Sequence, residues 1–226
     1  MKSDIDPSDG SQGSQRYGPY LAVLGLVILV LVAINTALTK PTGVAGVQPG
    51  SKLPPFAVPL AAGDVNGDAN VATRADEGSA GKRPACSVRG VGILNVCQLY
   101  EQGPVVLALF VDAGACAAVL SDMEALAPSF PGVRFAAVSI EGDRGRLRKL
   151  VRSRDLVQVP VGIDKDGALA TLYKVASCPQ VTFAYPGGVV QSKALLTTPS
   201  PATLRARVQE LVTDARARGW KEPSRA

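Results

Sequence analysis

VVLALFVDAGACAAVL, residues 105–120, is the stretch that decides the fold of this chain. Its first half, Val105–Phe110, is an apolar run rich in Val and Leu, typical of a buried strand that leads into a tight turn of small residues. From Cys116 onwards the pattern takes helical spacing, through Val119, Leu120, Met123 and Leu126. The stretch therefore predicts that a lone thiol, Cys116, lies where a central strand gives way to a helix.

The position of Cys116 leaves two interpretations open. Amide dipoles at a helix N-terminus favour a thiolate and lower the pKa of a cysteine, which suits a thiol-redox protein. A small cysteine buried between a strand and a helix fits the pattern equally well, because free cysteine is among the most buried residue types.

The composition excludes several classes of chemistry. The chain has 226 residues, 24 of them basic and 19 acidic, with a formal net charge of +5. This excess is mild, and aromatic residues are not interleaved with the basic ones, so we expect no nucleic-acid partner. The absence of histidine excludes Ser–His and Cys–His catalysis and imidazole metal sites. With no phosphate-binding loop either, the sequence predicts no cofactor and no metal.

An apolar run near the amino terminus, Tyr20–Leu38, predicts attachment to a membrane. At about 1.5 Å per residue, a helix of this length just spans a bilayer core of roughly 30 Å. A cleavable signal peptide is the alternative, but the run exceeds the usual apolar length of about 7–15 residues and acidic residues precede it. We therefore predict an uncleaved, single-pass signal anchor over residues 17–39, preceded by a disordered cytoplasmic tail, residues 1–16.

The four cysteines, at positions 86, 97, 116 and 178, predict that the rest of the chain is extracytoplasmic, where disulfides persist. Cys86 and Cys97 flank a short segment, and a disulfide between them would stabilise the fold by roughly 3 kcal/mol. A zinc site is the alternative. Two thiols without a histidine form no recognised ligand set, so we favour a structural Cys86–Cys97 disulfide.

The rest of the sequence predicts strands that alternate with helices. A linker, residues 40–51, leads to a folded domain, residues 52–220, that contains a loop-rich insertion at 61–100 and is followed by a tail, residues 221–226. Strands are predicted at 133–140, 157–163, 181–185 and 189–196, and helices at 142–154, 168–173 and from Ser200 onwards. The arginines of the helix at 142–154 are predicted to face solvent, and contact with anionic lipid or an anionic substrate is the alternative. This order predicts an α/β fold, with a mixed central sheet flanked by helices and preceded by one transmembrane helix.

The order of elements resembles that of the thioredoxin-like redoxins, especially membrane-anchored bacterial ones related to TlpA and the peroxiredoxins, including actinobacterial members. Leu53–Val58 is similar to their opening lPdFtL, and Pro186–Gly188 to the turn of their last hairpin. Val159–Asp164 and Leu172–Phe183 are similar to the family pattern yPvl.D…Ygv.g.Pttf. The resemblance covers roughly residues 50–218, implies a thioredoxin-like fold, and makes Pro179 the cis-proline of that fold.

The chain departs from this family at the reactive motif. The family carries Cys-x-x-Cys at the helix start, where this chain has Ala113-Gly114-Ala115-Cys116, and the Thr-x-x-Cys of peroxiredoxins is absent too. Cys116 matches the second cysteine of the family motif, or the first if a short insertion is allowed. The family's fold places the residue before the cis-proline beside the helix start, so the resemblance implies that Cys178 lies close to Cys116. The alternative is that Cys178 only fills a buried position.

The resemblance implies three functional hypotheses. The first is thiol–disulfide exchange with the thiols and disulfides of exported proteins, in which Cys116 attacks, Cys178 resolves, and Pro179 prevents a substrate strand from docking wrongly. The second is a redox-inactive thioredoxin-fold module for binding, which the missing Cys-x-x-Cys favours. The third is a one-cysteine peroxidase, which the missing Thr-x-x-Cys weakens.

Overall fold

A computed structural model describes residues 18–38, 45–77 and 83–223 of the chain, with side chains of the first segment described through residue 32. The chain divides into two compact units, Met1–Gly43 and Val44–Ala226. The first unit contains helix α1, Gly18–Leu38. Among the described residues, no helix is both long and apolar enough to cross a membrane. The predicted cytoplasmic tail, residues 1–16, lies outside the described residues.

The second unit is built around a four-stranded mixed sheet. Its elements in chain order are β1 (Ala57–Pro59), β2 (Ile93–Asn95), α2 (Val96–Gln102), β3 (Val105–Phe110), α3 (Ala118–Leu126), β4 (Arg134–Ser139), α4 (Arg144–Ser153), β5 (Val161–Ile163), α5 (Ala168–Leu172), β6 (Gln180–Ala184) and α6 (Pro201–Ala217). The strand order is β5-β4-β3-β6; the first three strands are parallel and β6 is antiparallel to β3. The predicted α/β fold with a mixed central sheet is confirmed.

Strand β3 lies at the centre of the hydrophobic core, because all six of its residues are buried. Its side chains alternate between the two faces of the sheet. Val106, Ala108 and Phe110 pack in the cluster that includes residues of α3 and α6, whereas Val105, Leu107 and Leu109 pack in the cluster of α2 and α5. A strand covered on both faces has no solvent-exposed face, which explains the unbroken apolar run in the sequence.

The loop-rich insertion predicted at residues 61–100 contains regular structure at its carboxyl end. Strand β2 pairs antiparallel with β1 in a second, two-stranded sheet and leads directly into α2. Asn95 ends β2 and caps α2, since its side chain accepts hydrogen bonds from the backbone N–H groups of Cys97 and Gln98. Strands of three residues are too short to show an alternating pattern, so this region carries no periodic signal.

Two of the predicted strands are shorter or less regular in the structure. The predicted strand at 157–163 begins only at Val161, because the N–H groups of residues 157–159 donate to the Glu124 carboxylate of α3 instead of to a strand. The predicted strand at 189–196 is reduced to isolated bridges, Ala184↔Val190 and Val181↔Leu195. The two bridges are three positions apart on β6, from Val181 to Ala184, but five positions apart on the returning segment, from Val190 to Leu195. The returning segment therefore has two extra residues and bulges away from β6.

The predicted solvent-facing role of the α4 arginines is wrong for two of them. Arg144 donates to the carbonyl oxygens of Gly63 and Val65, at 2.8 and 2.6 Å. Arg148 donates to the carbonyl of Gly63 at 2.6 Å and to the Asp64 carboxylate at 3.0 Å. The two guanidinium groups thus hold the segment at residues 60–65 against α4, whereas Arg146 is exposed.

Candidate functional site

Cys116 lies at the junction that the sequence predicts for it. It belongs to a 3-10 turn, Gly114–Ala117, between the end of β3 and the start of α3. Gly114 has a φ of +50°, in the left-handed region that favours glycine, and the Cys116 N–H donates to the carbonyl of Ala113 at 3.1 Å. Cys116 is half-buried, whereas residues 113–115 are exposed. The thiol-bearing turn therefore forms part of the protein surface.

Cys178 and Pro179 lie at the start of β6, next to the central strand β3. The peptide bond between them is cis, as the family resemblance implies. Pro179 is buried, whereas Cys178 is half-buried and packs against the core cluster shared with α3 and α6.

The structure joins Cys116 and Cys178 in a disulfide. Their Cα atoms are 5.3 Å apart, although their positions in the chain differ by 62. This separation lies within the range of about 4.4–6.8 Å that disulfides require. The fold thus brings all three predicted catalytic residues, Cys116, Cys178 and Pro179, to the same end of the sheet.

Val111 belongs to this site, although nothing in the sequence pattern singled it out. The antiparallel pairing of β3 with β6 ends at Leu109 and Gln180, and Val111 and Cys178 each lie two residues beyond this last pair. The backbone N–H of Val111 donates to the Cys178 sulfur at 3.3 Å. Only the tertiary register brings these two residues together, so the sequence alone carried no signal for this contact.

The segment after the last bridge of β6 runs alongside the disulfide. The hydroxyl of Thr198 donates to the carbonyl of Ala115 at 3.2 Å, next to Cys116. The hydroxyl of Ser177, next to Cys178, donates to the carbonyl of Leu196. This segment therefore contacts the neighbours of both cysteines and fixes the position of the Cys116 turn relative to the cis-proline.

A small surface cavity of about 190 Å³ lies beside the start of the Cys116 turn, although neither cysteine lines it. Two of its lining residues contact the cysteines: Val111 donates to the Cys178 sulfur, and Ala113 accepts from the Cys116 N–H. The other lining residues are Asp112, Glu141, Gly142 and Arg146. The cavity opens at the carboxyl ends of the parallel strands β3 and β4. This is the edge of an α/β sheet at which ligands and partners are usually bound.

The second disulfide joins Cys86 to Cys97 and lies in different surroundings. Its Cα atoms are also 5.3 Å apart, but Cys97 is completely buried in the first turn of α2. Cys86 lies in a 3-10 turn, Ala85–Ser87, that the Asn95 side chain holds by donating to the carbonyls of Ala85 and Val88. The bridge therefore fastens this turn to the buried start of α2, with one sulfur-bearing residue out of reach of solvent.

Asp164 is a buried titratable group that lies outside the site. It follows β5, two strands away from β3, and its carboxylate accepts a hydrogen bond from the N–H of Leu169 at 2.8 Å. Burial, reinforced by the neighbouring Asp166 side chain, raises the pKa of Asp164 from 3.8 to about 7. Asp164 therefore stabilises the first turn of α5 through this hydrogen bond.

Comparison with known proteins identifies related folds only among solved structures. No family model and no curated protein sequence matches the chain. A protein from Chlorobium tepidum, assigned as the thiol:disulfide interchange protein DsbE, matches 75% of this chain and 98% of its own, with 16% identity and a TM-score of 0.55. One from Bacteroides thetaiotaomicron, assigned as a protein disulfide isomerase, matches 77% of this chain and 97% of its own, with 13% identity and a TM-score of 0.54.

The peroxidoxin BcpB from Mycobacterium tuberculosis matches to a similar extent. The similarity covers 76% of this chain and 97% of that protein, with 14% identity and a TM-score of 0.52. At such identities these similarities show the fold and leave the chemistry to be argued from the residues of this chain.

Proposed function

We propose that this chain, which has the thioredoxin-like redoxin fold, is a thiol–disulfide exchange protein that acts through Cys116 and Cys178. One observation carries the proposal. The fold places two cysteines within disulfide distance at the surface, one in the turn before α3 and the other before the cis-proline. The chain thereby acquires a dithiol where the family's Cys-x-x-Cys is missing.

Exposure separates this pair from the other disulfide. Cys116 and Cys178 are both half-buried, and the exposed residues 113–115 lie beside them. In the other pair Cys86 is also half-buried, but Cys97 is completely buried. The Cys116–Cys178 pair therefore offers a partner thiolate two half-buried cysteines and the Cys86–Cys97 pair only one, which suits the first pair to exchange and the second to structural support.

The exchange itself takes two balanced steps. In the reduced protein, the Cys116 thiolate attacks a partner disulfide, forms a mixed disulfide and releases one partner sulfur as a thiolate. The Cys178 thiolate then attacks the Cys116 sulfur, closes the Cys116–Cys178 disulfide and releases the second partner thiolate. The partner gains two electrons that the cysteine pair loses, and the reverse sequence oxidises a partner dithiol.

Pro179 limits how a partner strand docks beside this pair. Proline has no backbone N–H, so it donates no hydrogen bond to an extended segment that approaches the start of β6. A partner strand is therefore directed towards the neighbouring positions, next to Cys178.

Both disulfides favour an extracytoplasmic location, because the cytoplasm keeps protein thiols reduced. The partners would then be thiols and disulfides of exported proteins. Attachment to a membrane rests on the sequence of the run Tyr20–Leu38 alone. Resistance of the full chain to carbonate extraction would support it, and recovery of a mature chain that begins near Thr39 would show a cleaved signal peptide instead.

A redox-inactive binding module is the second candidate. The observation that favours it is Ala113, which occupies a position where the family carries a cysteine or, in peroxiredoxins, a threonine. In that case the Cys116–Cys178 disulfide would serve stability only.

The reduction potential of the Cys116–Cys178 pair distinguishes the two candidates. The full chain is equilibrated in thiol–disulfide buffers, and the redox state of each cysteine is mapped by mass spectrometry after alkylation. A potential near that of thioredoxin, about −270 mV, supports exchange. A potential well below about −300 mV indicates a structural disulfide and contradicts the proposal. Rapid consumption of hydrogen peroxide by the reduced chain would favour a peroxidase instead.

A further inference from the structure

We infer that the backbone N–H of Val111 makes Cys178 the leaving thiolate of the disulfide, so that mixed disulfides form on Cys116. This inference rests on the proposed exchange function and assigns a catalytic group that the family motif does not include. It concerns which of two sulfur atoms a partner attacks.

The contact arises where the β-ladder between β3 and β6 ends. The last paired residues are Leu109 and Gln180, and the residue that precedes Gln180 is Pro179. Beyond this point the chain continues through the cis peptide bond to Cys178. The Val111 N–H, which faces this side of β3, donates to the Cys178 sulfur at 3.3 Å instead of to a backbone carbonyl.

A hydrogen bond of this kind stabilises the thiolate more than the disulfide. A full negative charge on sulfur is a stronger acceptor than a neutral sulfur, because charge-assisted hydrogen bonds are roughly twice as strong as neutral ones. Hydrogen bonding to the charged form of an acid lowers its pKa. We therefore expect the pKa of the Cys178 thiol in the reduced protein to lie below the free-cysteine value of about 8.5.

The consequence for exchange follows from the chemistry of the leaving group. An incoming thiolate attacks the Cys116 sulfur, a new sulfur–sulfur bond forms, and the Cys116–Cys178 bond breaks. The electron pair of the broken bond remains on Cys178, whose thiolate accepts the Val111 hydrogen bond. Because a thiol of lower pKa leaves faster, this hydrogen bond favours attack at Cys116 over attack at Cys178. Among the described residues no hydrogen bond reaches the Cys116 sulfur, and Cys116 lies in the 3-10 turn before α3 and not in α3 itself.

The first test compares Val111→Pro, which removes the N–H, with Val111→Ala, which keeps it. Both are combined with Cys116→Ser, so that Cys178 is free while Cys86–Cys97 stays bridged. The rate of Cys178 alkylation is followed against pH, and the modified residue is identified by peptide mapping. We expect the pKa of Cys178 to be about one unit higher in the proline variant, a tenfold change in acid dissociation. Equal values in the two variants would overturn the inference.

A second measurement holds even if the proline variant fails to fold. In the Cys116→Ser protein, the amide proton resonance of Val111 is followed by NMR as pH rises. We expect a shift with the same midpoint as Cys178 alkylation, because the amide proton senses the charge on the sulfur. A Val111 resonance that does not respond to Cys178 ionisation would overturn the inference.

The third measurement locates the mixed disulfide. The oxidised full chain is reacted briefly with glutathione, quenched with acid and mapped. We expect the adduct on Cys116 at least about fivefold more often than on Cys178, and a predominant adduct on Cys178 would contradict the inference. The pKa and NMR measurements need no exchange activity, so a chain that fails to exchange while Val111 still responds to Cys178 refutes the proposed function and not the hydrogen bond.

Discussion

Cys116 and Cys178 have Cα atoms 5.3 Å apart, although their positions in the chain differ by 62. The disulfide therefore closes a loop that includes α3, β4, α4, β5 and α5, and its redox state changes the covalent constraint on much of the domain. A disulfide within a Cys-x-x-Cys motif would close only a short loop. In this chain, exchange chemistry and the stability of the domain are thus linked through the same bond.

Substitution of each cysteine of this pair should have a different effect on exchange. Cys178→Ser removes the resolving thiol, so Cys116 should accumulate as a mixed disulfide with partner proteins. Cys116→Ser should abolish exchange and should form few mixed disulfides with partner proteins. The measurement is non-reducing electrophoresis and mass mapping of partners captured by each full-length variant. Equal trapping by both variants, or none by either, would contradict the assignment of Cys116 as the attacking residue.

Removal of the Cys86–Cys97 disulfide should lower stability and preserve exchange. Cys86→Ala with Cys97→Ala opens a loop whose ends are 11 positions apart in the chain, and we expect the free energy of unfolding, measured by urea denaturation, to fall by about 3 kcal/mol. Cys116→Ala with Cys178→Ala, which frees the longer loop, is the matched comparison and should cost about 4 kcal/mol. Loss of exchange in a folded Cys86/Cys97 variant would show that this bridge takes part in the chemistry.

The stability of the domain should depend on pH through Asp164. Its pKa is raised to about 7 in the folded protein, so the folded state binds the proton more tightly than the unfolded state, whose pKa is near 3.8. This contribution to stability is fully present below about pH 4 and is lost as pH rises towards about 7. Relative to Asp164→Asn, which does not titrate, the wild type should therefore lose free energy of unfolding over this interval.

Urea denaturation at several pH values between 4 and 8 checks this dependence. Asp68→Asn, at an exposed aspartate, is the control and should follow the wild type. Parallel pH profiles for the wild type and Asp164→Asn would mean that the carboxyl group of Asp164 is not perturbed by burial.

Removal of the two α4 arginines that bind residues 60–65 should destabilise that segment. Arg144→Ala with Arg148→Ala removes their hydrogen bonds to backbone carbonyls, and we expect a loss of about 2 kcal/mol in the free energy of unfolding. Limited proteolysis should then cleave within residues 60–65. The control is Arg146→Ala on the same helix, whose side chain is exposed. If the Arg144/Arg148 double variant resisted the protease as well as the Arg146→Ala control, these hydrogen bonds would not be what holds the segment.

The sequence by itself determined the elements whose signals are local. The apolar run Val105–Phe110 became the central strand, because a strand buried on both faces needs apolar side chains at every position. The last helix begins at Pro201 with Ser200 as its N-cap, as the Ser-Pro pair predicts, since a cap and the first turn lie within a few residues of each other. Likewise Cys116 could be assigned to a strand–helix junction from the change of hydrophobic period alone.

Only the tertiary structure determined which residues from distant parts of the chain come into contact. The pairing of β3 with β6 brings the Val111 N–H to the Cys178 sulfur, and no local pattern encodes a contact between residues so far apart in the chain. Arg144 and Arg148 looked like solvent-facing charges, yet they bind carbonyls that lie about eighty positions earlier in the chain. Local signals fix the conformation of a segment, because they act over a few residues. The site depends on contacts between segments, which the packing of the whole domain establishes.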